Sequence, residues 1–186
     1  MSCISAPSTI SISRGAGPFP QPRRRIDGPR RLPRSVSSRN EFPTHPVPAV
    51  GAVVFRDGAV LLVKRGADPN RGLWSFPGGA LEIGETVEAA AARETLEETR
   101  VDVRPVRVLD VRDFIQLEGR QVRWHYVLIE VLCEYVRGEP FPATDAANAR
   151  FIPLRELGEY KVAPTALEVL RTALAARIAS SETFGP

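Results

Sequence analysis

The chain has 186 residues, of which 43% are apolar and 25% charged, and its net charge is +3. This length suits one domain with a sizeable core, and the composition is that of a globular protein rather than a fibrous or wholly disordered one. No apolar run approaches the ~20 residues that cross a bilayer, so we exclude a transmembrane segment and expect no membrane partner.

The first 46 residues form a basic segment of distinct composition. They hold eight Arg against two acidic residues, which gives +6 and leaves −3 for the remainder. The segment is rich in Ser and Pro and lacks apolar periodicity, so residues 1–46 are predicted to be a disordered arm. An organelle transit peptide, an arm for nucleic acid or another polyanion, and a segment without a selected role are the three alternatives.

We favour the absence of a specific role for this arm. Its many prolines oppose the amphipathic helix of a mitochondrial signal, and it lacks the aromatic interleaving that would stack on bases. Nucleic acid is therefore not an expected partner. The cytoplasm is the expected location, while organelle import through the arm stays open.

A β-hairpin is predicted where the arm ends. The runs VPAVGAVVF (47–55) and AVLLVKR (59–65) are apolar and rich in β-branched residues, and Asp57-Gly58 lies between them. A D-G pair between two such runs is a strong hairpin signal. The next loop spans residues 66–72.

Three more strands and a helix are predicted further along the chain. LWSF (73–76) reads as a short strand that Pro77-Gly78-Gly79 ends. Two longer strands follow at 103–115 and 122–136. The helix covers 165–178, because its apolar residues repeat at helical spacing after Pro164.

The segment GGALEIGETVEAAAARETLEETR (78–100) predicts a helix with an unusual acidic face. Thr86 can cap its start, whereas Glu94, Glu97 and Glu98 share one face near its end. Like charges at this spacing destabilise a helix by roughly 0.2–0.5 kcal/mol per pair, and the helix dipole opposes acids at this end. A solvated acidic face and a divalent-cation site both explain the cluster, and periodicity alone leaves both open.

The spacing within this segment resembles the signature box of the Nudix hydrolases. In that box two glycines, a glutamate and two charged clusters recur as G-x5-E-x7-R-E-apolar-x-E-E-x-G-apolar. The matching residues here are Gly79, Glu85, Arg93, Glu94, Glu97 and Glu98. The flanking AVGAVVF and W-x-F-P-G-G segments are also similar to this family.

The resemblance implies an α/β fold, an α/β/α sandwich with a mixed β-sheet between helices. It covers residues 47–179 and leaves 180–186 as a short C-terminal tail. The implied activity is metal-dependent hydrolysis of the pyrophosphate bond in a nucleoside diphosphate linked to another moiety. The substrate is then a nucleotide derivative, and a homodimer stays open.

The resemblance also implies the metal site. Glu94, Glu97 and Glu98 would bind Mg²⁺ or Mn²⁺, with the Gly78 carbonyl as an extra ligand. The general base would be Glu97 or Glu98, or else Asp145 on the loop after the late strand. Such a metal would neutralise phosphate oxygens and activate water.

Supporting roles follow from the same match. Gly79 belongs to the box, and Glu85 and Arg93 would form a pair that orients the metal ligands. Arg65, at the end of the second predicted strand, is a candidate phosphate contact.

Two positions depart from the family pattern. Arg100 replaces the box glycine, at a helix end where a left-handed residue is common, and Thr95 replaces an apolar residue. A non-glycine residue at such a position costs something like 1 kcal/mol. Neither change removes a ligand, so activity is expected to survive both.

The substrate is less constrained than the chemistry. ADP-ribose or a related nucleotide sugar is the first expectation, although the proline that marks one ADP-ribose-specific group falls at Gln116 here. A sanitising hydrolase of noncanonical nucleoside triphosphates is the alternative, and a non-catalytic nucleotide-sensing or nucleic-acid-binding module is the alternative of another class.

Five aromatic residues could stack on a base, but core positions are favoured for them. These are Trp74, Phe76, Phe114, Trp124 and Tyr126.

Overall fold

The computed structural model of the chain describes residues 40–141 and 146–182, and side chains as far as residue 175. This range contains seven strands, two α-helices and one short 3-10 helix. In chain order they are β1 (Val47–Arg56), β2 (Ala59–Arg65), β3 (Trp74–Ser75), β4 (Gly78–Ala80), α1 (Val87–Thr99), β5 (Asp102–Glu118), β6 (Gln121–Arg137), β7 (Ala146–Pro153), the 3-10 helix (Leu154–Glu159) and α2 (Pro164–Glu182).

The strands form one mixed sheet with a helix on each face. Its order is β3-β2-β1-β6-β5, with β4 also paired to β1 and β7 to β2. The β1–β6 pair is parallel, and the other pairs are antiparallel. Val53 of β1 packs in a cluster with α2, whereas Ala52 and Val54 pack in a second cluster with α1. The expected α/β/α sandwich with a mixed sheet is therefore confirmed.

Strand β1 is apolar throughout because both of its faces are covered. Its central residues from Ala49 to Val54 are buried. The predicted hairpin to β2 is confirmed, since Asp57 and Gly58 both have positive φ, 48° and 75°. Two left-handed residues match the twist of the flanking strands and explain the D-G pair.

The structure differs from the predicted elements at four points. The prediction that Pro77-Gly78-Gly79 ends the third strand was wrong in part. A new strand, β4, begins at Gly78 and pairs with β1. Strand β7, along the far side of β2, was missed. Strand β5 is longer at both ends than 103–115, and α2 continues to Glu182.

The end of the predicted basic arm lies on β6. The backbone N–H of Phe42 donates to the carbonyl of Arg123 at 2.8 Å, and Arg123 Nε donates to Glu41 Oε1 at 2.8 Å. Residues 1–39 lie outside the described range, so the domain bounds 1–46, 47–179 and 180–186 stay predictions. Neither described helix has the length and apolar character needed to span a bilayer.

Candidate active site

Helix α1 begins and ends as its sequence predicts. Thr86 caps the start, where its Oγ1 accepts a hydrogen bond from the Ala89 N–H at 3.2 Å. Arg100 ends the helix with φ 63°, and its N–H donates to the Leu96 carbonyl at 3.0 Å. Thr95 is fully buried and its hydroxyl donates to the Ala91 carbonyl at 2.7 Å. Both departures from the family pattern are thus accommodated within the helix.

Two glycines bring the backbone of β4 against the acidic face of α1. The N–H of Gly78 donates to Glu98 Oε2 at 3.0 Å, and Glu98 is only 8% exposed. A Cβ added at Gly79 would lie 2.5 Å from Glu94 Oε1 and would displace that carboxylate, whereas a Cβ at Gly78 would meet the backbone carbonyl oxygen of Val50 at 2.1 Å. The two glycines therefore let this strand pack against both β1 and the glutamates.

Arg93 joins the acidic residues into one network. It donates from Nε and Nη2 to the two carboxylate oxygens of Glu85, each at 2.8 Å. Its Nη1 donates to Glu94 Oε1 at 2.7 Å and more weakly to Glu97 Oε2 at 3.3 Å. Nη2 also reaches the Ala80 carbonyl at 3.3 Å. The guanidinium fork thus ties two of the glutamates on α1 to β4 and to the loop before the helix.

The electrostatics of this network favour the charged forms of Glu85 and Arg93. Hydrogen bonds from Arg93 hold the pKa of the Glu85 carboxyl below its usual range. In return, the hydrogen bonds to Glu85 raise the pKa of Arg93. A fixed ion pair at this position orients the neighbouring carboxylates, which is the supporting role expected of Glu85 and Arg93.

The donor set fits a hard divalent cation in chemical type. Glu94, Glu97 and Glu98 offer carboxylate oxygens from one helix face, and Gly79 leaves the adjoining space clear of a side chain. In the part of the chain described, however, no three acidic, His or Cys side chains converge on one point. Glu94 and Glu97 are turned toward Arg93, so binding requires them to rotate away from it in part.

Two other predicted site residues lie elsewhere. Arg65 donates from Nε to the Pro69 carbonyl at 2.8 Å and so anchors the loop between β2 and β3. Its role as a phosphate contact stays a prediction. Asp145 lies outside the described residues.

The expected core role of the aromatic residues is confirmed for the most buried ones. Trp74 and Phe76 lie in the cluster beneath α2. Trp124 is 2% exposed and stacks on Tyr126, with ring centroids 6.2 Å apart and planes 15° apart. Phe114 contacts Tyr126 at 6.4 Å between centroids.

Glu130 is a buried acid that the sequence reading missed. It is 5% exposed, and its Oε2 has no hydrogen-bond partner among the residues described. Burial raises the pKa of its carboxyl to about 7. A Cβ on the neighbouring Gly51 would lie 2.1 Å from that oxygen, so this glycine makes room for the side chain. The available signal was one acid within the apolar run 126–133.

The sequence also did not predict a pocket that the structure contains. It has a volume of about 330 Å³ and lies between the loop after β2 and the start of β6. We call it the loop pocket. Its principal lining residues are Glu41, Gly66, Asp68, Arg71, Arg123 and Trp124.

Similarity to known proteins places the chain in a family. A NUDIX domain sequence model matches residues 45–173. An ADP-ribose pyrophosphatase of Methanocaldococcus jannaschii is 35% identical over 113 residues, 61% of this chain and 65% of that protein. A crystal structure of a MutT NUDIX hydrolase from Burkholderia pseudomallei is 28% identical with a TM-score of 0.62, and the match covers 69% of this chain and 98% of that one.

A curated relative from Xenopus laevis, "Nucleoside diphosphate-linked moiety X motif 6", is 36% identical over 86 residues, 46% of this chain and 36% of that protein. The chain thus spans less than two thirds of the length of these two curated relatives. The family match nevertheless covers most of the chain. The chain belongs to the NUDIX domain family.

Proposed function

We propose that the protein hydrolyses the pyrophosphate bond of a nucleoside diphosphate linked to another moiety, with ADP-ribose as the first candidate substrate. The observation that carries this proposal is the Arg93 network, which holds Glu85, Glu94 and Glu97 beside the glycines of β4. The names of two relatives, the archaeal ADP-ribose pyrophosphatase and the Xenopus laevis protein, support this class of substrate.

In this proposal Glu94, Glu97 and Glu98 hold Mg²⁺ or Mn²⁺, with the Gly78 carbonyl as a further ligand. Such a cation, when bound, would supply neutralisation of the phosphate oxygens and a lower pKa of water. Arg93 and Glu85 orient the glutamates through the hydrogen bonds described above. Gly79 lets β4 approach without a side chain between it and Glu94.

Exposure separates the two candidate bases on α1. The Glu97 side chain is 52% exposed, so its carboxylate can reach the attacking water and accept the proton. The Glu98 carboxylate is buried and already accepts the Gly78 N–H. We therefore favour Glu97 over Glu98, and Asp145 stays the alternative from outside the helix.

The test is divalent-cation-dependent hydrolysis by the full chain. ADP-ribose, dinucleotides and nucleoside triphosphates are incubated with wild type and with Glu97→Gln and Glu98→Gln, with and without Mg²⁺. Glu88→Gln, in the exposed first turn of the same helix, is the matched control. We expect Glu97→Gln to lose at least about 100-fold in rate, as catalytic proton transfer contributes roughly 10²–10⁴-fold, and Glu98→Gln to lose rate because its carboxylate would hold the cation less well.

Two results would overturn the proposal. One is a wild-type rate on every substrate no higher than that of the site variants, which would favour a non-catalytic sensing module. The other is efficient hydrolysis of triphosphates alone, which would favour the sanitising hydrolase. A cytoplasmic location and a homodimer remain predictions outside this test.

A further inference from the structure

The loop pocket has a wall held in place by its own hydrogen bonds. Arg65 Nε donates to the Pro69 carbonyl at 2.8 Å, and the Gly72 N–H donates to the Arg65 carbonyl at 2.9 Å. The Leu73 N–H closes the loop on the Asn70 carbonyl at 3.0 Å. The pocket is therefore formed before any ligand arrives, which is usual for small-molecule sites.

The opposite wall is an aromatic ring covered by a guanidinium. The carbon at the centre of the Arg123 guanidinium lies 6.0 Å from the centroid of the Trp124 ring. Arg123 is held there by Glu41 at 2.8 Å and by Glu118 at 3.6 Å. Because Trp124 is 2% exposed, the planar group left to a ligand on this wall is the Arg123 guanidinium, which suits stacking on another planar group such as a nucleobase.

The charges in the loop pocket disfavour an additional phosphate. Arg71 and Arg123 are balanced by the carboxylates of Asp68 and Glu41, and Asp68 also attracts Arg123 electrostatically. The pocket thus has no surplus of positive charge. Carboxylates that accept hydrogen bonds suit sugar hydroxyls and exocyclic amines instead.

The distance to the Arg93 network suits one end of the proposed substrate. Gly79 is in register with Val50, and Val50 with Ile129 of β6. Trp124 precedes Ile129 by five residues, which is about 16 Å along the strand at ~3.3 Å per residue, and two strand spacings of ~4.8 Å across β1 bring the separation from Gly79 to about 19 Å. That separation is too long for a phosphate group alone, whereas a nucleoside attached through its diphosphate is of this order.

We propose that the loop pocket binds the uncharged nucleoside end of the substrate, so that the enzyme selects its substrates by their nucleoside and not by the second moiety. This inference rests on the proposed function. Asp68 and Glu41 accept hydrogen bonds from the nucleoside, Arg71 donates to it, and the Arg123 guanidinium stacks on its base.

The first test measures binding without hydrolysis. Adenosine 5′-monophosphate and ribose 5-phosphate, the two halves of ADP-ribose, are titrated calorimetrically into the full chain without divalent cation. The variants are Asp68→Asn and Arg71→Ala. Their matched controls are Asp57→Asn, in the β1–β2 turn, and Arg107→Ala, on the exposed part of β5.

We expect both pocket variants to weaken the binding of adenosine 5′-monophosphate by about tenfold or more, since each loses a hydrogen bond to a charged group. Ribose 5-phosphate and both controls should be unaffected. Unchanged binding of adenosine 5′-monophosphate in both variants overturns the proposal. An equal loss for the two ligands overturns it too, because the pocket would then not distinguish the nucleoside.

Steady-state kinetics with ADP-ribose separate this inference from the proposed function. The pocket variants should raise KM with kcat unchanged, as expected for binding remote from the reacting bond. A wild type that hydrolyses nothing but shows the expected binding pattern overturns the proposed function alone. Hydrolysis with KM unchanged in the pocket variants overturns the assignment of the loop pocket alone.

Discussion

The carboxylates around Arg93 and the buried carboxyl group of Glu130 differ in their partners. Around Arg93, the carboxylates of Glu85, Glu94 and Glu97 all accept hydrogen bonds from one guanidinium. In the sheet, Glu130 lies against Gly51 with one oxygen unpartnered in the described structure. The pKa of Glu85 is lowered by Arg93, whereas burial raises that of Glu130.

The difference shows that a bidentate cationic partner and desolvation shift the pKa of a carboxyl group in opposite directions. A bidentate cation offsets the loss of water, and the group stays ionised. Without that contact, desolvation favours the protonated acid. Arg112 lies near Glu130 and favours its ionised form, but it hydrogen-bonds Asp110 and Glu168 instead.

The largest expected effect is on the pH dependence of the protein's stability, and it comes from the unpartnered Glu130. Glu130 has its pKa raised from 4.5 to about 7 in the fold, so its contribution to stability is full below pH 4.5 and is lost as pH rises toward 7. The loss by pH 8 is about 3 kcal/mol at 1.36 kcal/mol per pKa unit. Glu130→Gln should abolish this dependence in urea unfolding measured from pH 4.5 to 8.

The control for that measurement is Glu134→Gln, on an exposed position of the same strand. Its stability should follow the wild-type pH profile. Parallel profiles for wild type and Glu130→Gln would show that Glu130 does not titrate as described.

The second effect concerns the carboxylates that are paired with Arg93. Arg93→Lys keeps the charge but removes the fork that joins Glu85, Glu94 and Glu97. We expect kcat/KM for the proposed hydrolysis to fall by roughly 10- to 100-fold, the usual range for residues that orient metal ligands. Arg104→Lys, in the exposed pair with Glu134, is the control and should change little. Full activity in Arg93→Lys would contradict the orienting role.

A smaller effect is expected from steric displacement within the network. The Cβ of Gly79→Ala would meet Glu94 Oε1 at 2.5 Å and push that carboxylate from its place beside Arg93. We expect kcat/KM to fall by about tenfold, or roughly 1.4 kcal/mol. Gly158→Ala, where a Cβ meets nothing within 4 Å, provides the comparison. Equal kcat/KM values for Gly79→Ala and Gly158→Ala would argue against close contact between β4 and Glu94.

The smallest effect is expected beside the network, where α1 ends. Arg100 has φ 63°, a conformation that glycine adopts without strain. Arg100→Gly should therefore raise the free energy of unfolding by about 0.5–1 kcal/mol in thermal or urea denaturation, without changing kcat. A loss of activity would instead place Arg100 in the site.

Local sequence signals predicted much of the fold. The Asp57-Gly58 turn, the Thr86 cap and the left-handed end of α1 at Arg100 depend on neighbouring residues, so the chain displays them directly. Strand β4 was missed because its Gly-Gly-Ala sequence has no strand pattern, and it exists only through pairing with β1. Strand β7 similarly depends on a distant partner, β2.

The candidate site was predicted in its residues but not in its contacts. The spacing from Gly79 to Glu98 identified the glutamates and Arg93. It could not give the contact of Arg93 with three carboxylates, because that depends on side-chain rotamers. Glu130 and the loop pocket were missed since each is assembled from segments far apart in sequence, with Gly51 opposite Glu130 and Asp68 near Arg123.

Binding of Mn²⁺ tests most directly whether Glu94, Glu97 and Glu98 form a metal site. Water-proton relaxation during a Mn²⁺ titration would be compared for wild type, the double variant Glu97→Gln/Glu98→Gln, and Glu88→Gln. Saturable binding in wild type and Glu88→Gln, with a loss of at least about tenfold in affinity for the double variant, is the predicted result. Equal binding by all three proteins would contradict the metal site on α1.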